Sequence, residues 1–199
     1  NRISTKLYCP TLTAIENLKR EGFDNFDCDV LLTGDVMYDA ALFYSERSEK
    51  DNTLKTHKLD FGKYFLATIH RAENTDNIEN LKSIIEALNE LHAQYPVVLP
   101  LHPRTRKILQ DQKLTVAFQI IDPVGYFDML NLIRGSVMVL TDSGGLQKEA
   151  YFFQKFCVTM RDQTEWVELV QGGFNILTGA DKINIHHAVE QFRQRKFDS

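Results

Sequence analysis

Short apolar runs alternate with segments of helical periodicity along most of this chain of 199 residues. Seven such runs are too short for core helices and are bounded by Gly, Pro, Asp or His, so we predict that they form strands. These runs are residues 30–33, 64–68, 97–101, 118–121, 137–141, 156–160 and 175–177. Between two of them, Ile78, Leu81 and Ile85 follow steps of three and four, which indicates an amphipathic helix capped by Asn77. Because strands and helices alternate, the fold class that we predict is α/β, a Rossmann-like doubly wound parallel sheet.

Charge and cysteine content narrow the class of protein. The formal net charge of −4 argues against general nucleic-acid binding, which depends on a basic face, but it is compatible with a local basic pocket for a small phosphorylated ligand. The three cysteines show no CxxC spacing, so we expect neither a disulfide framework nor a zinc site, and a cytoplasmic location fits best. The longest apolar runs are far shorter than the ~20 residues that cross a bilayer, so we expect no membrane segment.

The length corresponds to roughly one domain. The chain opens on Asn1-Arg2 without Met or a signal peptide, so we interpret it as a piece of a longer protein. The charged segment 46–58 has no core pattern, and we predict a solvated loop or a fraying helix end there, without a function.

Polar or glycine-rich clusters follow five of the predicted strands. They are Gly34-Asp35, residues 70–74 (His-Arg-Ala-Glu-Asn), residues 102–104 (His-Pro-Arg), residues 142–145 (Asp-Ser-Gly-Gly) and residues 161–165 (Arg-Asp-Gln-Thr-Glu). Hydrophilic loop composition explains any one of these clusters alone. Because open parallel sheets bind ligands at the carboxyl ends of their strands, we predict that the five clusters share one sheet edge and form a binding site there.

The Asp142-Ser143-Gly144-Gly145 turn before a predicted helix is typical of a phosphate cradle. Glycines permit close approach of the backbone, and the amides of a helix N-terminus attract anions. The alternative is a strand-to-helix turn in which Ser143 or Asp142 caps the helix. Glu149, one turn into the helix, either accepts from a ribose hydroxyl or complements the helix dipole.

Positive side chains gather in the same clusters although the chain as a whole is acidic. His70 and Arg71 are followed closely by Glu73 and Asn74, and this combination favours recognition of a diphosphate. Arg offers several N–H donors for phosphate oxygens, and His can add a charge or a proton near neutral pH. A buried or capping role for His70 is the alternative. Further cations in the clusters are His102, Arg104 and Arg161.

Other kinds of site are disfavoured. The chain contains neither GxGxxG, the pattern of nicotinamide sites, nor the GxxxxGKS/T pattern of P-loops. His186 and His187 are adjacent on the last predicted helix and face different directions, so we expect no metal site. Ser143 does not lie in the GxSxG pattern of a serine hydrolase.

Several stretches resemble the non-hydrolysing UDP-N-acetylglucosamine 2-epimerases. They are residues 68–74 (Thr-Ile-His-Arg-Ala-Glu-Asn), 140–150 (Leu-Thr-Asp-Ser-Gly-Gly-Leu-Gln-Lys-Glu-Ala), 161–165 (Arg-Asp-Gln-Thr-Glu), 7–11 (Leu-Tyr-Cys-Pro-Thr), 16–18 (Glu-Asn-Leu) and 33–35 (Thr-Gly-Asp). The likeness runs over essentially the whole chain, and the Asp-Ser-Gly-Gly stretch is its most specific part.

The resemblance implies one half of a two-domain GT-B-like architecture, the glycogen phosphorylase type. Residues 1–199 would be the C-terminal UDP-binding Rossmann-like domain, and the N-terminal domain would be absent from this chain. The active site of such proteins lies in the cleft between the two domains and binds UDP or a UDP-sugar. The likeness implies no cofactor, and it implies a homodimer for the full-length form.

The resemblance and the edge clusters together assign roles to single residues. His70 contacts the diphosphate and is the catalytic candidate. The substrate-binding candidates are Gly34, Arg71, Glu73, Asn74, His102, Arg104, Met129, Ser143, Gly144, Gly145, Glu149 and Arg161. By the likeness, phosphate oxygens are bound by Ser143, Gly144 and Gly145, and the ribose is bound by Glu149. Met129 lies near the uracil, and Arg161 lies beside the phosphate and the sugar. In some bacterial members a second substrate molecule activates the enzyme, and Arg71 and His102 match positions near it.

Members of the family invert carbon 2 of the sugar by eliminating UDP to a glycal and adding it back to the opposite face. Proton transfer at carbon 2 needs carboxylates of tuned pKa. The resemblance places those carboxylates in the first domain and just before Asn1. We therefore predict an isomerase that interconverts UDP-N-acetylglucosamine and UDP-N-acetylmannosamine, and we predict that this chain alone is inactive.

Two departures from the family pattern leave the sugar open. Many members have Thr-Glu-Arg-Pro-Glu where residues 164–168 read Thr-Glu-Trp-Val-Glu, and many have Gly in place of Ile69. The Trp-Val form resembles relatives that act on UDP-2,3-diacetamido-glucuronic acid, as well as some UDP-N-acetylglucosamine epimerases. Two further hypotheses are a UDP-sugar glycosyltransferase domain and a non-catalytic binding module that pairs with another subunit.

Overall fold

The computed structural model describes residues 2–48 and 52–198 of the chain, with the side chains of residues 46–48 excepted. The chain divides into two compact units, residues 1–44 and residues 45–199. Within the described residues, no helix combines the length and the apolar character that crossing a membrane requires.

The first unit holds a two-stranded parallel sheet. Its elements are β1 (Lys6–Cys9), α1 (Leu12–Arg20), a 3-10 helix (Phe23–Asn25), β2 (Asp29–Leu32) and the start of α2 (Val36–Ser48). β1 and β2 pair from Lys6 opposite Asp29 to Cys9 opposite Leu32. The strand predicted at residues 30–33 is confirmed as β2, but the prediction that it joins the main sheet is wrong. Most of its residues are exposed, so it lacks the two covered faces of a central parallel strand.

The second unit is built on six parallel strands. They are β3 (Phe65–Thr68), β4 (Val97–Pro100), β5 (Gln119–Ile121), β6 (Met138–Thr141), β7 (Phe156–Thr159) and β8 (Asn175–Leu177). Their spatial order is β5-β4-β3-β6-β7-β8, so the direction of winding reverses between β3 and β6. That reversal is the point at which doubly wound sheets bind ligands. The six strands predicted between residues 64 and 177 are confirmed.

Helices cover both faces of this sheet. They are α3 (Thr53–Thr56), α4 (Ala72–Thr75), α5 (Ile78–Gln94), α6 (Pro103–Asp111), α7 (Tyr126–Gly135), α8 (Gly144–Phe152), α9 (Val167–Gln171) and α10 (Lys182–Arg193). Alternate strand residues enter different cores: Phe65 packs with residues of α5 and α10, and Leu66 packs with residues of α7 and α8. Asn77 caps α5 as predicted, because its side chain accepts from the amides of Glu79 and Asn80.

Part of the charged segment 46–58 forms a helix that contacts the core. Residues 49–51 and the side chains of residues 46–48 lie outside the described part, but α3 follows them. Thr53 is buried and donates to Asp128 at 2.7 Å, and Leu54 packs into the core beside Gly135. A Cβ at Gly135 would lie 3.0 Å from Leu54, so the glycine makes room for this anchor. The prediction of a solvated segment is therefore wrong for α3.

Truncating Leu140 to Ala tests this core. Leu140 lies fully buried in β6, so Leu140→Ala should lower the free energy of unfolding by about 2–5 kcal/mol through lost burial and the cavity left behind. Ile183→Ala in α10 is the control, since Ile183 is 61% exposed and its truncation should change that free energy by about 0.5 kcal/mol or less. Urea denaturation followed by circular dichroism measures both, and equal effects would contradict the assignment of the core.

Candidate functional site

Four of the five predicted clusters lie past the carboxyl ends of strands of the six-stranded sheet. The turn at His70 and α4 follow β3, α6 follows β4, α8 follows β6, and a loop over residues 161–166 follows β7. The fifth cluster follows β2 in the first unit, so the prediction that all five share one sheet edge is wrong for Gly34. Gly34 has a positive φ of 81° with open space around it, which suits a turn glycine, and its part in substrate binding stays a prediction.

Asp142 organises this edge from inside the protein. Its carboxylate is fully buried at the end of β6 and accepts from the backbone amides of His70 (3.1 Å) and Arg71 (3.0 Å) and from Nδ2 of Asn74 (3.1 Å). A buried charge is tolerated only when donors of this kind surround it. From the sequence, Asp142 is expected in a phosphate-binding turn or at the helix cap, and its bonds to the turn after β3 are not predicted. The cap of α8 is Ser143, whose Oγ accepts from the amide of Leu146.

Asn74 connects three of the strand ends. Besides Asp142, its amide group donates to the carbonyl of Met160 at 3.0 Å, directly after β7. The side chain is 2% exposed, so its contacts described here are to protein. On the neighbouring strands, the hydroxyl groups of Thr68 and Thr141 share a hydrogen bond of 2.6 Å. The sequence-predicted Asn74 is therefore brought to the site as a brace between β3, β6 and β7.

Two arginines and two glutamates form a chain of ion pairs at this edge of the sheet. Arg161 is 8% exposed at its side chain, and its Nη1 donates to Oε2 of Glu165 at 2.9 Å. Nε of Arg161 lies 3.4 Å from Oε1 of Glu73 but makes no hydrogen bond. Arg71 reaches the other oxygen of Glu165, with 3.9 Å between Nη2 and Oε1. Arg71 and Arg161 therefore converge on Glu165, and acidic side chains of the same clusters offset their charge.

His70 remains open to a ligand. Its side chain is 52% exposed, and Nε2 lies 3.8 Å from Oδ1 of Asp142. The backbone amide of the same residue is fixed by that carboxylate, so the imidazole projects from an anchored turn. An anchored, half-exposed imidazole is suited to contact an anion at this edge.

The first turn of α8 forms the glycine-rich part of the edge. Thr141 Oγ1 accepts from the amide of Ser143 at 2.9 Å, which fixes the entry to the helix. Gly144 is buried and Gly145 is half-buried, and as the first residues of a helix their amides have no acceptor within it. A Cβ on Gly144 would collide with Oε1 of Glu165. The space over Gly144 that sequence analysis assigned to a ligand thus holds a carboxylate.

The loop after β7 is fastened to α8 on both sides of Glu165. Thr164 Oγ1 bonds to Oε1 of Gln147 at 2.7 Å, and Trp166 Nε1 donates to the carbonyl of Gly144 at 2.8 Å. Nζ of Lys148 also lies 4.0 Å from the centre of the Trp166 ring. These contacts were not predicted, because they join residues that are distant in sequence.

A cavity of about 170 Å³ opens beside His70 at the ends of β3, β4 and β5. It is lined by Thr68, Ile69, His70, Pro100, His102, Pro123, Val124 and Met129. The lining is largely apolar, with two imidazoles at its border, and such pockets accept flat rings. His102 and Met129 are therefore brought together with His70, as sequence analysis predicts.

Glu149 lies in α8 and Arg104 lies in α6, two of the helices that begin at this edge. Glu149 in α8 is 8% exposed, and burial raises its pKa above the ordinary value, while a hydrogen bond from Tyr126 opposes that shift. Arg104, next to the helix cap His102, pairs with Asp76 at 2.6 Å at the exposed rim. An exposed pair of this kind contributes little to stability.

Within residues 2–48 and 52–198 no three His, Cys, Asp or Glu side chains are grouped so that they could hold a metal ion. His186 lies 2.9 Å from Oε2 of Glu90, in a cluster with Lys182.

A comparison with family models decides the relationship of the chain. Residues 1–199 match the model of the UDP-N-acetylglucosamine 2-epimerase family. The chain belongs to this family. The predicted membership is therefore confirmed, and it is independent of the geometry above.

The chain is 53% identical over 181 residues to the UDP-2,3-diacetamido-2,3-dideoxy-D-glucuronate 2-epimerase of Pseudomonas aeruginosa, a match that covers 90% of this chain and 50% of that protein. It is 44% identical over 200 residues to a UDP-N-acetylglucosamine 2-epimerase homolog of Methanococcus maripaludis, with coverage of 96% and 55%. The chain thus spans about half the length of the curated relatives it matches.

Among solved structures, the chain matches the UDP-GlcNAc 2-epimerase of Methanocaldococcus jannaschii in complex with UDP-GlcNAc and UDP. The TM-score is 0.88 at 38% identity, over 98% of this chain and 56% of that one. The predicted fold class, a Rossmann-like α/β sheet of the GT-B type, is confirmed by this match and by the strand order.

Replacing Asp142 by Asn should destabilise the protein markedly. The new amide group would bring donors to a place where two backbone amides and Asn74 already donate, so Asp142→Asn should lower the free energy of unfolding by about 2–4 kcal/mol. Asp122→Asn is the matched control, because Asp122 is 90% exposed in its pair with Arg106 and should contribute about 1 kcal/mol or less. Urea unfolding compares the two variants, and similar losses would show that Asp142 has no special role.

Replacing Glu149 by Gln should stabilise the protein at neutral pH. Because the folded-state pKa of Glu149 is raised, its charge costs stability as pH rises from the ordinary value of 4.5 through the raised one, and the cost is absent below that window. The gain in melting temperature of Glu149→Gln over the unaltered chain should therefore grow from pH 4 to pH 8. Glu79→Gln, which removes an exposed carboxylate of α5, is the control. A gain that is constant over this range would contradict the assignment.

Proposed function

We propose that this chain supplies the UDP-binding half of a UDP-sugar 2-epimerase, an isomerase. The observation that carries the proposal is the juxtaposition, at the switch point of the sheet, of the N-terminus of α8, the buried Arg161 and the half-exposed His70 with an adjoining apolar cavity. A nucleoside diphosphate needs these three kinds of surface: cations and free amides for the phosphates, and a flat apolar pocket for the base.

The roles assigned by sequence fit this arrangement. The α8 turn with Ser143, Gly144 and Gly145 receives phosphate oxygens, and Arg161 contributes charge beside them. The cavity at Met129 takes the uracil, and the buried Glu149 accepts from the ribose hydroxyls. A carboxylate that accepts two such hydrogen bonds recovers the solvation that burial removed. The solved relative with UDP-GlcNAc and UDP bound, 38% identical to this chain, supports the ligand class.

In the proposed reaction the bond between carbon 1 of the sugar and the diphosphate oxygen breaks. The departing UDP gains negative charge, which His70, Arg161 and the α8 amides stabilise, and the same groups hold UDP until it is added back. Removal and return of the proton at carbon 2 require carboxylates from the other half of the full-length enzyme. The chain alone should therefore bind UDP without epimerising, and turnover of UDP-N-acetylglucosamine by the purified chain would contradict this division of labour.

The sugar has two candidates. UDP-N-acetylglucosamine is favoured by the matching family model and by the relative of known structure. UDP-2,3-diacetamido-glucuronic acid is favoured by the 53% identity to the Pseudomonas aeruginosa enzyme, compared with 44% for the epimerase homolog from Methanococcus maripaludis. Offering both UDP-sugars to the full-length enzyme and following the product by proton NMR distinguishes them.

We further propose that the full-length enzyme is a cytoplasmic homodimer in which residues 1–199 form the C-terminal part.

Titration with UDP tests the nucleotide site directly. Trp166 is the only tryptophan of the chain and contacts Gly144 at the start of α8, so its fluorescence should report occupancy of the phosphate position. We expect UDP to bind with a Kd in the micromolar to millimolar range and more tightly than UMP or ADP. His70→Ala should weaken the binding of UDP about 10- to 150-fold, the value of a charge-assisted hydrogen bond.

The matched control is His187→Ala, because His187 is exposed on α10, outside the site. This variant should bind UDP as the unaltered chain does. Absence of a saturable response to UDP in the folded chain, confirmed by calorimetry, would contradict the proposal.

A further inference from the structure

Glu165 lies where the proposed ligand would place a phosphate. Its carboxylate covers the Cα of Gly144 at the first turn of α8 and accepts from Nη1 of Arg161 at 2.9 Å. Arg71 approaches the same carboxylate at 3.9 Å. One anionic group of this chain thus contacts the three positive features that a diphosphate would need: the helix N-terminus and both arginines.

The side chain of Glu165 can leave this position without moving the backbone. Its neighbours Thr164 and Trp166 are both bonded to α8, so the loop is fastened on either side of it. The Glu165 side chain itself is 45% exposed, whereas that of Arg161 is 8% exposed. Rotation of the glutamate toward solvent would therefore uncover Gly144 and Arg161 while the loop stays in place.

The positive groups are incompletely satisfied even with Glu165 in place. Nε of the buried Arg161 makes no hydrogen bond, although Glu73 lies 3.4 Å away. Burial alone would raise the pKa of Glu165, but hydrogen bonds and the charges of Arg161 and Arg71 outweigh that effect and lower it, so the carboxylate is charged at neutral pH. One N–H donor of this buried guanidinium is therefore left for a further hydrogen-bond acceptor.

We propose that Glu165 is a specificity-determining residue that competes, as a built-in anion, with phosphate for the start of α8. This inference rests on the proposed function. Without the carboxylate, two arginines and a helix N-terminus would attract any small anion. With it, an anion must displace Glu165, and a nucleoside diphosphate offsets that cost through base and ribose contacts that inorganic phosphates lack. Gly144 suits this exchange, because the absence of a side chain leaves one space for two alternative occupants.

The competing explanation is that Glu165 is a fixed support that orients Arg161. The two explanations predict opposite signs for Glu165→Gln, which keeps the shape of the side chain and removes its charge. A competitor that loses its charge makes anions bind more tightly, whereas a lost support makes them bind more weakly. Glu168→Gln is the matched control, since it removes one negative charge three residues away on a side chain for which the described residues show no ion pair with Arg161.

Binding of pyrophosphate, UDP and uridine to the 199-residue chain tests the proposal. Calorimetry is the readout, with Trp166 fluorescence in parallel. For Glu165→Gln we expect pyrophosphate and UDP to bind about 2- to 5-fold more tightly, the range of a partly exposed ion pair, with uridine unchanged. Pyrophosphate should gain at least as much as UDP does, so the ratio of UDP to pyrophosphate affinity should not rise. Glu168→Gln should bind all three as the unaltered chain does.

The outcomes are distinguishable from a failure of the proposed function. If the unaltered chain binds UDP and Glu165→Gln binds UDP and pyrophosphate equally or more weakly, the competition is refuted and the nucleotide site stands. If neither chain binds UDP or pyrophosphate, both proposals are refuted. A crystal structure of the unaltered chain with UDP is a second test that needs no variant. The carboxylate of Glu165 should then lie more than about 4 Å from Nη1 of Arg161, beyond ion-pair distance, and a retained bond of 2.9 Å would overturn the proposal.

Discussion

The buried carboxylate of Asp142 is the interaction on which the ligand edge depends. Taking a charge out of water is costly, and three N–H donors from the turn after β3 compensate for that cost. Two of those donors are backbone amides, so the carboxylate fixes the direction of the chain at His70 and Arg71. Through Asn74 the same carboxylate is connected to the end of β7. The geometry of the cations, and hence of any bound anion, follows from this one buried group.

Much of the main sheet could be predicted from sequence because its strands are covered on both faces. Such strands read as short continuous apolar runs, and helical periodicity supplies the layers between them. The Asn77 cap and the clustering of polar residues past four strands follow from the same local signals. Once the strands are parallel, topology alone brings their carboxyl ends to one edge.

The features that could not be predicted depend on contacts between distant residues. β2 is apolar enough to be a strand, but its pairing with β1 in a separate unit has no local signal. The packing of Leu54 and Tyr64 depends on the missing side chain of Gly135. The position of Glu165 over Gly144 likewise depends on how two loops meet. The Trp166 departure from the family pattern has a local explanation, since the indole bonds to the carbonyl of Gly144 and packs under Lys148.

The hydrogen bonds between Asp142 and the turn after β3 affect the order in which parts of the protein fold during synthesis. His70 and Asp142 are 72 positions apart, so the turn that carries the imidazole has no anchor until β6 has left the ribosome. Domains form as translation proceeds, and long-range pairings are completed last. A nascent chain that ends within α7 would hold β3, β4 and β5 but would lack Asp142 and the first turn of α8. The anchored turn at His70 thus forms late in translation, together with the centre of the sheet.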